Sequence, residues 1–182
     1  MADLTTEALA HQIFATGFCC IRCGKCCSRE SEDSNLVILS PPEVRRLIER
    51  AGMAWEEISE PYPEYLRTET GCRYTFAWCL RRTRDRCLFL GDTGCAVYMV
   101  RPWICRTYPF MLSESGLLTS PCSGLGGEMT WDEAMNLAEL LIARKKAEDE
   151  ETEKTRIVFM SERLPACGRA VIDSEGVKPV DG

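Results

Sequence analysis

Five cysteines fall within nine consecutive residues of the stretch FCCIRCGKCC, at Cys19, Cys20, Cys23, Cys26 and Cys27. The last four read C-x-x-C-x-x-C-C. Neighbouring α-carbons across a trans peptide lie about 3.8 Å apart, short of the usual disulfide separation, so a Cys26 to Cys27 bridge would be strained. Converging thiolates repel one another, and a cation that lowers their pKa and shares their charge relieves that repulsion. A three-residue spacing turns successive sulfurs toward one centre, either in a helix or in a tight turn with Gly24 at positive φ. On a helical wheel of about 100° per residue Cys20, Cys23 and Cys27 share an arc and Cys26 lies to one side. The four are therefore expected to serve two metals, or one cluster and a neighbouring site.

The remaining donors are downstream: Cys87, Cys95, Cys105 and Cys122 bring the set to eight, enough for two tetrathiolate sites. His11 is the only imidazole, which argues against a mixed Cys/His zinc finger. An all-thiolate set suits zinc or an iron–sulfur cluster. The C-x-x-C-x-x-C portion is similar to a ferredoxin clamp, without that motif's three-residue gap and closing Cys-Pro. Four thiolates leave a net charge of about −2 around either centre, and Arg22, Lys25, Arg29, Arg101 and Arg106 are the cations nearby in sequence to offset it. Cys19, Cys72, Cys79 and Cys167 stand outside the repeating spacing and read as core or accessory thiols.

The elements that position these residues must fit one domain with appendages, since 182 residues is short for two. A composition of 45% hydrophobic and 27% charged residues is that of a soluble globular chain, and a net charge of −6 argues against a general nucleic-acid binder. No apolar run approaches the ~20 residues of a membrane span, and MADLTTEALAHQIFATGF lacks a basic region followed by an apolar one. The expected location is the cytoplasm, where a cysteine-rich chain binds metal or does redox chemistry rather than holding structural disulfides.

Helical spacing of Leu4, Ala8, Leu9 and Ile13 predicts an N-terminal helix over residues 1–16. Ser40-Pro41-Pro42-Glu43 predicts a capped helix running to Gly52, entered from an extended Leu36 to Leu39. Arg73 to Trp78 reads as a strand, and CLFL-GDTG-CAVYMV as a hairpin with Cys87 and Cys95 on its two strands. RPWICRTYPF looks too proline-punctuated for regular structure, and a third helix starts at the Thr130-Trp131-Asp132-Glu133 capping box. The expected fold is thus α+β: a loop-rich metal core over 17–128, a short antiparallel hairpin, a C-terminal helix over 129–163 packed on it, and a loosely ordered tail over 164–182.

Three separated motifs, CIRCGKCC, CLFLGDTGCAVYMVRPWICRTYPF and SPCSG, resemble the CxxCxxCC cysteine-cluster family, the YkgJ-like proteins described as zinc- or iron-chelating, over roughly residues 18–127. The resemblance implies a metal-binding cytosolic domain with Cys20, Cys23, Cys26, Cys27, Cys87, Cys95, Cys105 and Cys122 as ligands. A similar cluster, associated with an iron–sulfur centre, occurs in the flagellin lysine methylase group. By that likeness Arg101, Arg106, Tyr98 and Tyr108 would line a substrate or S-adenosylmethionine site; otherwise the arginines compensate cluster charge. No nucleotide loop or Ser/His/Asp set is present, and Gly124-Leu125-Gly126-Gly127 is an incomplete glycine pattern.

The leading expectation is an iron–sulfur protein, with a [4Fe–4S] cluster held for electron transfer or as accessory to a redox or protein-modification reaction. It would work with a protein redox partner or protein substrate, away from membranes and nucleic acid. A zinc-stabilised binding module or metal carrier is the second reading, and a methylase-like enzyme the third. The balance favours a non-catalytic metal or redox protein, and no catalytic residue is assigned.

Overall fold

Both capping signals read from the sequence are made in the computed structural model of the chain, which describes residues 5–28 and 35–180. The Glu43 carboxylate accepts the Ser40 backbone N–H at 2.9 Å and its hydroxyl at 2.8 Å. That helix stops at Gly52, whose φ of 66° turns the chain left-handed while its N–H reaches Ile48 O at 2.8 Å. Glu133 likewise accepts the Thr130 N–H at 2.8 Å and donates its own N–H to Thr130 Oγ1 at 3.2 Å. Such caps satisfy helix-end donors that would otherwise be left unpaired.

Along the chain come α1 (Thr6–Thr16), a 3-10 turn at Lys25–Cys27, β1 (Ile38–Leu39), α2 (Pro41–Ala51), α3 (Trp55–Ile58), β2 (Ser59–Pro61) and β3 (Leu66–Arg67). There follow β4 (Arg73–Thr75), β5 (Trp78–Leu80), β6 (Arg82–Thr83), β7 (Arg86–Cys87), β8 (Leu90–Gly91), β9 (Gly94–Cys95) and a second 3-10 turn at Tyr98–Val100. The last are α4 (Trp103–Thr107), β10 (Phe110–Ser113), β11 (Gly116–Thr119), α5 (Trp131–Ser161), β12 (Arg169–Asp173) and β13 (Gly176–Val180). Helices and several small sheets make the protein α+β.

Two compact units share these elements: residues 1–26 with 103–147, and residues 27–102 with 148–182. In the first, α1 presents Leu9, Ala10 and Ile13 to Ala134, Leu137, Ala138 and Leu141 of α5 and to Phe110 of β10. The apolar positions recur at helical spacing on both helices, so each buries one stripe. His11 lies over the Trp131 ring at 4.5 Å, and the β10–β11 hairpin pairs Phe110 with Thr119. Buried Arg144 donates from Nη1 to Thr107 Oγ1 at 2.9 Å, which gives this charged group a partner away from water.

The second unit is built on two sheets, β1–β5–β2 and β13–β12–β4–β3. Its core joins Leu39, Val44, Leu47, Ile58, Trp78, Leu80, Phe89, Val97 and Val171. Trp78 Nε1 donates to the buried Asp173 carboxylate at 2.8 Å, and Lys178 pairs with the same carboxylate at 2.7 Å. Charge and hydrogen bond together meet the desolvation of that acid.

Several expectations are corrected. The segment read as a loosely ordered tail forms the β12–β13 hairpin, with Ala170, Val171 and Ile172 fully buried. RPWICRTYPF is not irregular: its middle is α4, because Pro102 precedes the first helical residue, where a missing N–H costs nothing. The strand over Arg73 to Trp78 is broken into β4 and β5 at Phe76 and Ala77. Cys87 and Cys95 do not share one hairpin; Cys87 faces Arg82 across β6–β7, and Cys95 faces Leu90 across β8–β9. Leu4 and Arg29, singled out above, lie outside the described residues.

Candidate metal centre

The C-x-x-C-x-x-C-C stretch is a turn rather than a helix. Gly24 takes φ 72°, Arg22 takes φ 54°, and only Lys25–Cys27 closes a 3-10 turn. The helical-wheel argument therefore does not apply to Cys20 and Cys23, whose thiols are exposed, while Cys26 and Cys27 are half-buried. Of the eight candidate ligands, Cys20, Cys23, Cys26, Cys105 and Cys122 belong to the first unit, and Cys27, Cys87 and Cys95 to the second.

Within the first unit the backbone ties three cysteine segments together. Gly124 accepts the Cys19 N–H at 3.0 Å and donates its own N–H to Cys122 Sγ at 3.4 Å. Gly126 N–H meets Gly17 O at 3.0 Å, and Phe18 bridges Leu125. A side chain cannot fit here: a Cβ on Gly124 would overlap the Cys19 carbonyl oxygen, and one on Gly127 would lie 2.8 Å from Cys19 Cβ. The glycine pattern that looked like a fragment of a nucleotide loop is a clasp holding the cysteine arm. Cys105, half-buried on α4, is linked to the same place, since Tyr108 Oη donates to Pro121 O at 2.6 Å, next to Cys122.

In the second unit Cys87 is a partly buried thiol. Burial pushes its pKa up, neighbouring Cys95 adds to that, and backbone N–H groups of Phe89 and Leu90 on its sulfur oppose it together with the Arg82 charge. A backbone amide two residues on likewise donates to the sulfur of Cys122. Cys79 is different: burial, with Glu60 adding, pushes its thiol up to about 12. Cys72 is also fully buried, so both are packing residues. Among the described residues no three Cys, His, Asp or Glu side chains converge into a metal cage. What the fold provides is the backbone frame that carries the sulfurs, and its soft, amide-bonded donors fit a thiophilic metal.

The cations and aromatics read from the sequence have local roles. The Arg101 guanidinium lies 3.5 Å from the Tyr98 ring centre in the second unit, and Arg106 lies 4.8 Å from that of Trp103 in the first. Arg22 and Lys25 are exposed beside the clamp. Sequence reasoning missed Arg82, whose charge acts on both Cys79 and Cys87; only the cross-strand pairing of Arg82 with Cys87 reveals it. It also missed the clasp, although Gly-x-Gly-Gly two residues after a cysteine carried the signal.

No helix among the described residues is long and apolar enough to cross a membrane. No curated protein and no solved structure matches the chain. The family CxxCxxCC, described as "Putative zinc- or iron-chelating domain", matches residues 19–123, a span that takes in all eight candidate ligands. With more than half of its length inside that match, the chain belongs to the CxxCxxCC family of cysteine-rich, zinc- or iron-chelating domains.

Proposed function

We propose that the cysteines hold iron–sulfur chemistry, a [4Fe–4S] cluster in the first instance, serving electron transfer with a protein partner. The observation that carries the reading is Gly124, which in one residue binds the Cys122 sulfur and the Cys19 backbone. It draws the downstream cysteine to the foot of the C-x-x-C-x-x-C clamp. Four of Cys20, Cys23, Cys26, Cys105 and Cys122 then serve one centre, and Cys27, Cys87 and Cys95 contribute to a second environment. Amide donors on the sulfurs and the Arg82 charge near Cys87 favour the more negative state of a thiolate centre and so raise its potential.

Anaerobically purified protein is expected to be brown and to contain iron and acid-labile sulfide. Colourless protein with stoichiometric zinc would overturn the cluster and leave the zinc-stabilised module. Brief alkylation at pH 8 followed by peptide mass spectrometry separates ligands from bystanders. Metal-loaded protein should protect Cys20 and Cys23 while Cys19 and Cys167, also exposed, stay reactive. Cys72 and Cys79 should resist in every sample until unfolding, being buried. Equal labelling of Cys19 and Cys20 in loaded protein would remove Cys20 from the ligand set.

A further inference from the structure

Three arginines occupy one row across the four-stranded sheet of the second unit. Arg67 on the edge strand β3 is in register with Arg73 on β4, and Arg73 with Arg169 on β12. Residues in register share a face of the sheet, and strands stand about 4.8 Å apart, so the row spans roughly 10 Å. Like charges directly opposite one another destabilise a sheet. Among the described residues neither Arg67 nor Arg73 forms an ion pair with a carboxylate, and both are exposed. A lone charge on β3 would guard the sheet edge against pairing. That explanation does not reach Arg73 on an inner strand, or Arg169 beyond it.

The row is also held in place. Tyr65, two residues before Arg67 and on the same face, has the Arg73 guanidinium 4.9 Å and the Arg169 guanidinium 5.9 Å from its ring centre. Two planar forks are thus positioned on one aromatic ring, in a chain whose net charge is −6. Planar guanidinium forks pair bidentately with phosphoryl oxygens, and a row of them matches more than one such group.

We propose that Arg67, Arg73 and Arg169, supported by Tyr65, form an oxyanion site for a ligand bearing two adjacent phosphoryl groups. The repulsion between Arg67 and Arg73 is relieved when the anion binds, so the site trades stability of the empty sheet for affinity. None of these residues is adjacent to one of the eight candidate ligands, and the site stands whether the metal is iron or zinc.

The test is calorimetric titration of the metal-loaded full chain with pyrophosphate at fixed ionic strength. Saturable binding at one site per chain is expected, weakened at least tenfold in R67Q/R73Q. Chelation of the metal by pyrophosphate would be the same in both proteins, so the difference reads the row alone. Arg67→Gln by itself, on the exposed edge, keeps the test valid if the double variant misfolds, and it too should weaken binding while leaving thermal stability equal or higher. ADP competing as well as pyrophosphate assigns a diphosphate ester as the source; weaker competition assigns the free anion. Absence of saturable binding, or equal affinity in R67Q and R67Q/R73Q, overturns the proposal.

Discussion

Gly124→Ala is expected to release the metal from the first unit and to destabilise the protein by about 1–3 kcal/mol, the usual range for overfilling a packed site. The added methyl meets the Cys19 carbonyl, a backbone group that cannot rotate away, and the Phe18 ring at 3.1 Å. To make room, the SPCSG loop must leave the cysteine arm, breaking the bond from Cys19 N–H to Gly124 O and moving Cys122 away from the clamp. Gly126→Ala is the internal comparison. Nothing lies within 4 Å of its Cβ, so only its φ of 76° opposes the change, at a cost of about 1 kcal/mol. Metal per chain and the urea midpoint measure both variants. Gly124→Ala retaining full metal would show that the clasp does not hold the centre together.

Ending the chain at Leu164 is expected to unfold the second unit. β12 is an inner strand, parallel to β4 on one side and antiparallel to β13 on the other. Its removal exposes the core around Val171 and also discards Ile172, and burial of side chains this size contributes about 1.5–3 kcal/mol each. Trp78 Nε1 loses its Asp173 acceptor at a buried position, worth roughly a further 1–3 kcal/mol. Together these approach the net stability of about 5–15 kcal/mol that a domain possesses. Hydrogen exchange should show loss of protection in β1, β4 and β5, with new dye-binding apolar surface. A truncated chain that keeps native protection in those strands would refute the central role of β12.

Local signals were legible wherever one residue answers its near neighbours. Ser40 with Glu43, Thr130 with Glu133, and Gly52 as a stop are satisfied within a single turn of chain. The closing hairpin was harder to read, even though AVID, SEG and the alternation in VKPV are strand and turn signals. Its partner β4 lies about a hundred residues earlier, and Pro179 reads as a breaker until β13 is known to be an edge strand, where a missing N–H is tolerated. α4 was hidden for a related reason: prolines at 102 and 109 bracket a helix of five residues rather than forbidding it.

The sequence by itself determined the cysteine content, its C-x-x-C-x-x-C-C spacing and the family to which that spacing belongs, because residue type and short spacing are properties of the chain alone. Tertiary structure alone decided which cysteines are buried packing residues, which belong to each compact unit, that the glycines clasp the cysteine arm, and that three arginines stand in one row. Those facts depend on pairing between segments far apart in sequence. Register and burial are set by the competition of all such segments for the same core, and no local pattern encodes its outcome.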